Sequence, residues 1–200
     1  CGRVVGIGEG VDDAWMGRRV MFNMAVEISH ELHPDAARAG RDISMIGEHT
    51  PGTHAERFTA PASNALDIGQ AADPLQAAAY GLTHLTAWRM LRTRARLRSG
   101  DSVLITGIGG GVALACLGIA NHFGCRTIVT SRHRWKLDRA LELGATDVVL
   151  DEGEGWSRAV RGLTGHRGVD ICADSIGAAV HESCLKSLAR AGRLFACGCT

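Results

Sequence analysis

The sequence predicts an α/β protein whose larger part is a doubly wound parallel sheet, preceded by a smaller β-rich region. Three observations support this prediction. An apolar, β-branched run at 102–106 passes through a glycine loop into a helix-like pattern. Strand-like and helix-like segments then alternate to residue 197, whereas residues 1–69 contain only short apolar runs bounded by Gly and Asp. Such alternation implies right-handed crossovers between parallel strands that are covered on both faces.

Short strands separated by turns are predicted in the first region. The predicted strands are 2–7, 17–22 and 53–60. The third alternates apolar and polar residues until Pro61 ends it. Gly6, Gly8 and Gly10 lead into Val11 and two aspartates rather than into a helix, so a hairpin turn is predicted there instead of a second phosphate loop.

The second region is predicted to begin with a helix that starts at Pro74 and ends before Gly100. Strands are predicted near 102–107, 126–131, 147–150, 169–174 and 193–197, and helices near 110–123, 133–143, 155–164 and 178–190. The two domains are therefore expected at 1–70 and 71–200. Because the alternation stops after its fifth strand and the chain begins without Met, we expect a fragment that lacks both termini.

Composition and charge limit the classes of partner. Of the 200 residues, 46% are hydrophobic, and the formal net charge of +1 gives no electrostatic attraction to nucleic acid. No apolar run reaches the ~18 residues of a membrane span. A basic run, Arg92, Arg94, Arg96 and Arg98, is interpreted as the solvated end of a helix. The seven cysteines include no C-x-x-C pair and are predicted to be free thiols in a reducing, cytoplasmic compartment.

The glycine loop that follows the first strand of the sheet is typical of a nucleotide-binding turn. Its glycines are Gly107, Gly109, Gly110 and Gly111. The loop does not match the strict G-x-G-x-x-G motif, because Val112 occupies the position of the third glycine. The pattern Gly107-x-x-Gly110-x-x-Ala113 describes the loop better. Glycines allow close backbone approach, and the N–H groups of a helix beginning near Gly110 would face a diphosphate. The alternative is a glycine-rich turn without a ligand.

The end of the second strand bears on the choice of cofactor. It reads Ser131-Arg-His-Arg-Trp-Lys136, where an acidic residue would bind the ribose 2′-hydroxyl of NAD or a cation would bind the 2′-phosphate of NADP. No Asp or Glu occurs between Arg126 and Trp135. Ser131, Arg132 and Lys136 offer a hydroxyl and two cations, which favours NADP, with NAD as the alternative. Arg134 fits equally well on the exposed first turn of a helix.

A series of segments in a fixed order extends along nearly the whole chain. The segments are 2–11, 17–20, 46–56, 85–91, 97–107, 137–147, 168–171 and 192–195. Together they resemble the medium-chain dehydrogenase/reductase superfamily, which includes alcohol dehydrogenases and quinone or enoyl reductases. The resemblance implies a partial GroES-like catalytic domain over 1–70, a C-terminally truncated Rossmann domain over 71–200, and an active site in the cleft between them.

The resemblance also implies further site residues. The strand end Asp174-Ser-Ile-Gly177 would approach the cofactor and add Ser175 and Ile176 to its contacts. Thr86 would lie near the nicotinamide, with His84 as a second candidate for catalysis. Each of these residues also has a purely structural alternative. Asp170 and Asp174 could be strand-end groups that are capped locally, and the Thr86 hydroxyl could bond to its own backbone. His84 could serve in core or edge packing.

A catalytic zinc, which many members of that superfamily use, is not expected from the visible residues. The resemblance places two ligands before Cys1 and a third near Leu82 and Thr83, neither of which is a good zinc ligand. It places a structural zinc lobe at 30–41, which contains no cysteine. His30 and His33 in that segment are interpreted as exposed loop histidines.

The functional expectation is an NADP-dependent oxidoreductase that transfers hydride between the nicotinamide and a carbonyl, an alcohol or a conjugated alkene. A small-molecule substrate and a homo-oligomer are expected, with no nucleic-acid or membrane partner. One alternative is a zinc-dependent alcohol dehydrogenase; another is a cofactor-binding protein or incomplete gene product without turnover. The sequence indicates neither the substrate, nor the direction of the reaction, nor a general acid.

Overall fold

The computed structural model describes residues 1–27 and 43–198, which divide into two compact units, Cys1–Leu82 and Thr83–Thr200. In the first unit, β1 (Gly2–Arg3), β2 (Arg19–Phe22) and β5 (Ala65–Asp67) form an antiparallel sheet in the order β1-β2-β5. β3 (Ala25–Glu27) pairs antiparallel with β4 (Ile43–Met45). The side-chain amide of Asn64 donates to the carbonyls of Asn23 and Ala25 and so ties the start of β5 to the β2–β3 connection.

Two predictions for the first unit meet different outcomes. A turn does form at the early glycines, where the Val11 amide donates to the Gly8 carbonyl within the β1–β2 connection. The strand predicted over residues 53–60 is wrong, because the chain bends there and forms no ladder. Most side chains of this segment are exposed, and Phe58 packs edge-to-face on Phe22 instead, with ring centroids 5.3 Å apart. Alternating polarity therefore does not mark a sheet face here.

The second unit contains the predicted parallel sheet. Its strands are β6 (Ser102–Ile105), β7 (Arg126–Ser131), β8 (Asp147–Leu150), β9 (Val169–Asp174) and β10 (Leu188–Ala196), in the order β10-β9-β6-β7-β8. The helix α1 (Pro74–Trp88) begins in the first unit and ends in the second, where it continues as a π-helix over Arg89–Arg94. The other helices of the second unit are α2 (Gly111–His122), α3 (Arg134–Glu142), α4 (Trp156–Leu163) and α5 (His181–Ser187). The strand order reverses between β6 and β9, which is the position where open α/β sheets bind ligands.

Two details of the second unit correct the sequence interpretation. α5 ends at Ser187 rather than near 190, because the backbone becomes extended at Leu188, which already pairs with Val169 in β9. The basic run is only partly solvated. Arg92 is half-buried, with its guanidinium 4.2 Å from the centroid of the Phe123 ring.

Apolar side chains alternate along the central strand and supply both faces of the sheet. Val103 and Ile105 belong to one buried cluster, whereas Leu104 lies in the other with Ile128 and Trp156. Both clusters are closed to water, as expected for a sheet with helices on each face. In the parts of the chain that the structure describes, no helix is long and apolar enough to cross a membrane.

The six described cysteines are free thiols, and those on α2, β9 and α5 are buried. Cys199 lies outside the described residues. Burial, with a smaller contribution from nearby Cys197, raises the pKa of the Cys116 thiol to about 12. This thiol is protonated at neutral pH and therefore a poor nucleophile.

Leu104→Ala tests the two-faced core. The side chain is fully buried, so we expect the free energy of unfolding to fall by ~2–5 kcal/mol in urea titrations. Leu141→Ala, at a residue 45% exposed on α3, is the matched control and should change it by no more than about 0.5 kcal/mol. Equal effects of the two substitutions would contradict this description of the core.

Candidate dinucleotide-binding site

The connection from β6 to α2 leaves no room for side chains at three of its glycines. Gly107 and Gly109 have φ of 62° and 113°, which other residues rarely adopt. An added Cβ would lie 2.9 Å from side-chain atoms of Ile176 at Gly107, 2.9 Å from Lys136 Cδ at Gly109, and 2.6 Å from Thr83 Cγ2 at Gly111. Side chains therefore pack closely beside this loop, while Gly109, Gly110 and Gly111 themselves are exposed.

The start of α2 presents unpaired backbone donors at the end of this loop. Gly110 is the N-cap residue, with extended φ and ψ, and no side chain caps the helix. The first N–H groups of a helix have no intrahelical acceptor, and together with the helix dipole they favour an anion. Ala113, in the first turn, is buried against the sheet and fits the small third position of the motif.

A cavity of about 1470 Å³ opens beside the loop, at the carboxyl edge of the sheet. The predicted cofactor residues that line it are Gly107, Ser131, Arg132, Lys136 and Ile176. Residues after β8 and after β9 line its other side, among them Asp151 and 178–180. The volume exceeds the ~300–1,000 Å³ of drug-sized pockets. Five further predicted cofactor residues are not part of this lining: Gly109, Gly110 and Ser175 in the adjoining loops, and Gly111 and Val112 at the start of α2.

The end of β7, the short turn after it and the start of α3 place a hydroxyl and two cations at this cavity. The Ser131 Oγ accepts from the His133 amide at 3.1 Å, which leaves its own proton to donate. Arg132 is exposed, whereas Lys136 is half-buried with its stem against Gly109 and its ammonium 5.4 Å from the Trp135 ring centroid. Within residues 1–27 and 43–198, neither cation forms an ion pair with a carboxylate.

Asp174 holds the loop after β9 in place. Its carboxylate is fully buried and accepts from the Thr106 hydroxyl at 2.5 Å and from the Ile176 and Gly177 amides at 3.0 Å each. The structure thus shows the local capping that the sequence left open. Asp174 fixes the position of Ile176 relative to Gly107, and Ser175 and Ile176 are exposed beside the cavity.

Known proteins share this architecture. A family model described as zinc-binding dehydrogenase matches residues 111–200. The crystal structure of an NAD-dependent alcohol dehydrogenase superposes with a TM-score of 0.87 at 35% identity, covering 98% of this chain and 57% of that one. A quinone oxidoreductase-like protein 2 homolog of Nematostella vectensis is 32% identical over 81% of this chain and 44% of its own length. Quinone oxidoreductase of Rattus norvegicus is 30% identical over 74% of this chain and 45% of its own.

This chain belongs to the medium-chain dehydrogenase/reductase superfamily. It spans less than half the length of the two quinone oxidoreductase relatives. The parallel sheet flanked by helices, which the sequence predicts, is confirmed by the strand order and by this superposition.

The two catalytic candidates of this superfamily member lie on α1, apart from the large cavity. His84 and Thr86 are half-buried, and the His84 Nδ1 lies 3.2 Å from the Thr83 hydroxyl. Neither residue lines the 1470 Å³ cavity. Their catalytic role stays a prediction.

The residues that the structure describes contain no group of three or more His, Cys, Asp and Glu side chains that could hold a metal ion. Leu82 and Thr83, at the third ligand position that the resemblance implies, are not zinc ligands. His30 and His33 lie outside the described residues, so their interpretation as loop histidines stays a prediction.

Among the residues of the site that sequence reasoning missed are Asp151 and Thr83. Asp151 follows β8, lines the cavity, and donates its backbone N–H to the Ser131 carbonyl. Its position after a predicted parallel strand could have identified it, because the carboxyl ends of parallel strands meet at one edge. Thr83, whose methyl group occupies the space beside Gly111, had no such signal because this contact depends on how α1 packs.

Asp170 lies at the opposite end of β9 from the cavity. The Arg167 guanidinium donates to both carboxylate oxygens, at 2.7 and 2.8 Å, and Ser102 donates from its amide and its hydroxyl. The Arg167 hydrogen bonds, helped by Ser102, hold the pKa of Asp170 well below its usual range despite partial burial. This carboxylate therefore joins β6 to β9 at the amino edge of the sheet.

Asp170→Asn should change how stability depends on pH. Because the folded-state pKa of Asp170 is depressed, its contribution to stability is present above the unfolded pKa of ~4 and is lost as pH falls below that value. The difference in unfolding free energy between the parent and Asp170→Asn should therefore shrink between about pH 5 and pH 2 in urea titrations. A difference that stays constant across this interval would contradict the assignment.

Proposed function

We propose that the chain is part of an NADP-dependent oxidoreductase that transfers hydride between the nicotinamide and a carbonyl, an alcohol or a conjugated alkene. In this proposal residues 1–70 belong to a GroES-like catalytic domain and 71–200 to a Rossmann domain. One observation carries the proposal: the glycine loop and the segment 131–136, which joins β7 to α3, flank one cavity of about 1470 Å³ at the carboxyl edge of the sheet.

The diphosphate would bind at the glycine loop. Gly109, Gly110, Gly111 and Val112 bring the first N–H groups of α2 to the ligand, and added side chains at two of the glycines would collide with Lys136 and Thr83. Lys136 would add a positive charge beside the same backbone, because its stem passes over Gly109. Cation and backbone donors together suit a dianionic diphosphate.

The adenosine 2′-phosphate would bind at the end of β7. Ser131 can donate its hydroxyl proton, and Arg132 is exposed beside it. An Arg fork matches phosphate geometry better than a point charge does. NAD remains the alternative, because Asp151 lines the same cavity and could accept from a ribose hydroxyl.

When bound, the dinucleotide supplies the hydride, and the protein contributes binding and orientation. Asp174 orders the loop that brings Ile176 against Gly107, so the cavity wall is fixed before a ligand binds. The names of two relatives support a quinone reductase type. The family model's description favours a second candidate, a zinc-dependent alcohol dehydrogenase, which stoichiometric zinc in the full-length protein would support.

Arg132→Ala tests the 2′-phosphate site. Charge-assisted hydrogen bonds contribute ~1.5–3 kcal/mol, so we expect the Kd for NADPH to rise by about tenfold or more while the Kd for NADH stays the same. Titration of the full-length protein, followed by nicotinamide fluorescence, measures both constants. Arg134→Ala, an exposed cation two residues along, is the matched control and should leave both unchanged. Equal affinity of the parent protein for NADPH and NADH would contradict the NADP assignment.

A further inference from the structure

The large cavity extends beyond the glycine loop to the start of α4. Gly153, Gly155, Ser157 and Arg158 line this part of it, together with Ser183 of α5. All of these residues belong to the second unit. The proposed binding of the dinucleotide uses none of them.

Ser157 is buried at this cavity without a hydrogen-bond partner. Only 6% of the residue is exposed, and it lines the cavity. The other buried polar residues that the structure describes all form side-chain hydrogen bonds within the protein, whereas no described residue bonds to the Ser157 hydroxyl. Because buried hydroxyls are nearly always hydrogen-bonded, this one is free to bond a molecule in the cavity.

The start of α4 adds backbone donors beside this hydroxyl. The helix has eight residues, its N-cap residue is Gly155, and no side chain caps it. The Trp156 and Ser157 amides are therefore among the N–H groups that have no intrahelical acceptor. An added Cβ at Gly153 or Gly155 would meet no atom within 4 Å, so a ligand can approach the backbone closely here.

Arg158 supplies a cation that is available to a ligand. It is exposed, and its guanidinium forms no ion pair with any carboxylate that the structure describes. Arg161, one turn later on α4, is engaged instead, because its guanidinium donates to three backbone carbonyls. Arg161 therefore fixes α4 in place, while Arg158 can bind an anion.

Three carboxylates also line the cavity, and two of them have partners. Asp151 accepts from the Gly153 amide at 3.0 Å, and Glu182 pairs with Lys186 at 2.6 Å. Glu154 is exposed next to the N-cap residue of α4, and its charge opposes an anion there.

We propose that the start of α4 binds a phosphate dianion. Its donors are the Ser157 hydroxyl, the Trp156 and Ser157 amides and the Arg158 guanidinium. Helix N-termini bind phosphate through their free N–H groups, and an Arg adds charge-assisted hydrogen bonds. Donors of these three kinds suit a group with several acceptor oxygens. The phosphate belongs either to a second small molecule beside the dinucleotide or to the adenosine 2′-phosphate of NADP, and competition with nucleotides distinguishes these sources.

Titration of inorganic phosphate into the isotope-labelled full-length protein, without nucleotide and at constant ionic strength, tests the site. The Trp156 and Ser157 amide resonances should shift saturably, whereas Gly165 beyond the other end of α4 should not shift. Because the readout is specific for each residue, phosphate bound at the start of α2 is distinguished from phosphate bound at α4. Trp156 and Ser157 amides that stay unshifted would overturn the proposal.

Variants assign the donors. Arg158→Ala should raise the Kd for phosphate by about tenfold, and Ser157→Ala by about threefold, since a hydrogen bond to a charged donor is the stronger. Glu154→Gln removes the opposing charge and should lower the Kd by about threefold. Arg134→Ala, at an exposed cation in the first turn of α3 and outside the lining, is the matched control. A Kd that Arg158→Ala changes no more than Arg134→Ala does would overturn the site.

Thermal unfolding of Ser157→Ala in phosphate-free buffer separates a ligand donor from a structural hydroxyl. Because the hydroxyl has no protein partner, its removal should not lower the Tm. A lower Tm than that of the parent protein would show that the hydroxyl serves the fold and would overturn its assignment as a donor to phosphate.

Repeating the phosphate titration with saturating NADH or NADPH identifies the source of the phosphate. Binding that persists with both nucleotides indicates a second phosphate-bearing molecule. Displacement by NADPH but not by NADH indicates the adenosine 2′-phosphate. Displacement by both would show that the adenosine covers these donors and would overturn the phosphate site. Phosphate binding without nucleotide does not depend on the proposed function, so absence of NADPH binding would refute that function alone.

Discussion

The tight passage of the backbone from β6 into α2 is the constraint on which the site depends. Gly107 and Gly109 have backbone angles that disfavour a side chain, and neighbours from α3 and the β9 loop already occupy the space that a Cβ would need. Asp174 holds one of those neighbours in place by accepting from the Ile176 amide, and it bonds to Thr106 at the end of β6. The loop, the helix start and the cavity wall are thus positioned by one set of contacts.

The connection from β6 to α2 also contributes to the positive charge beside the cavity. The helix start supplies partial positive charge without a side chain, and Lys136 and Arg132 add full charges along the same wall. The opposite edge of the sheet shows a different use of charge. There the Asp170 carboxylate accepts hydrogen bonds from Arg167 and Ser102, so it stabilises the pairing of β6 with β9 rather than facing a ligand. Two aspartates four residues apart on one strand therefore have separate roles.

Much of the second unit could be predicted because its inner strands are buried on both faces and separated by glycine-rich or polar connections. The inner strands at 126–131 and 169–174 match their predicted bounds for this reason, and the half-buried edge strand at 147–150 matches as well. The end of α5 was harder, since it depends on pairing of Leu188 with Val169, a contact distant in sequence. In the first unit, residues 53–60 carry an alternating pattern with no strand to pair with. The contact between Thr83 and Gly111 depends on how α1 packs, which no local pattern encodes.

We propose that the start of α2 binds the diphosphate of a nicotinamide dinucleotide. Titrating NADPH into the isotope-labelled full-length protein, while following amide NMR resonances, tests it most directly. We expect saturable shifts of the Gly109, Gly110, Gly111 and Val112 amides with one shared Kd, and unchanged resonances for Gly165 beyond the end of α4. Loop amides that stay unshifted while NADPH saturates the protein would contradict it.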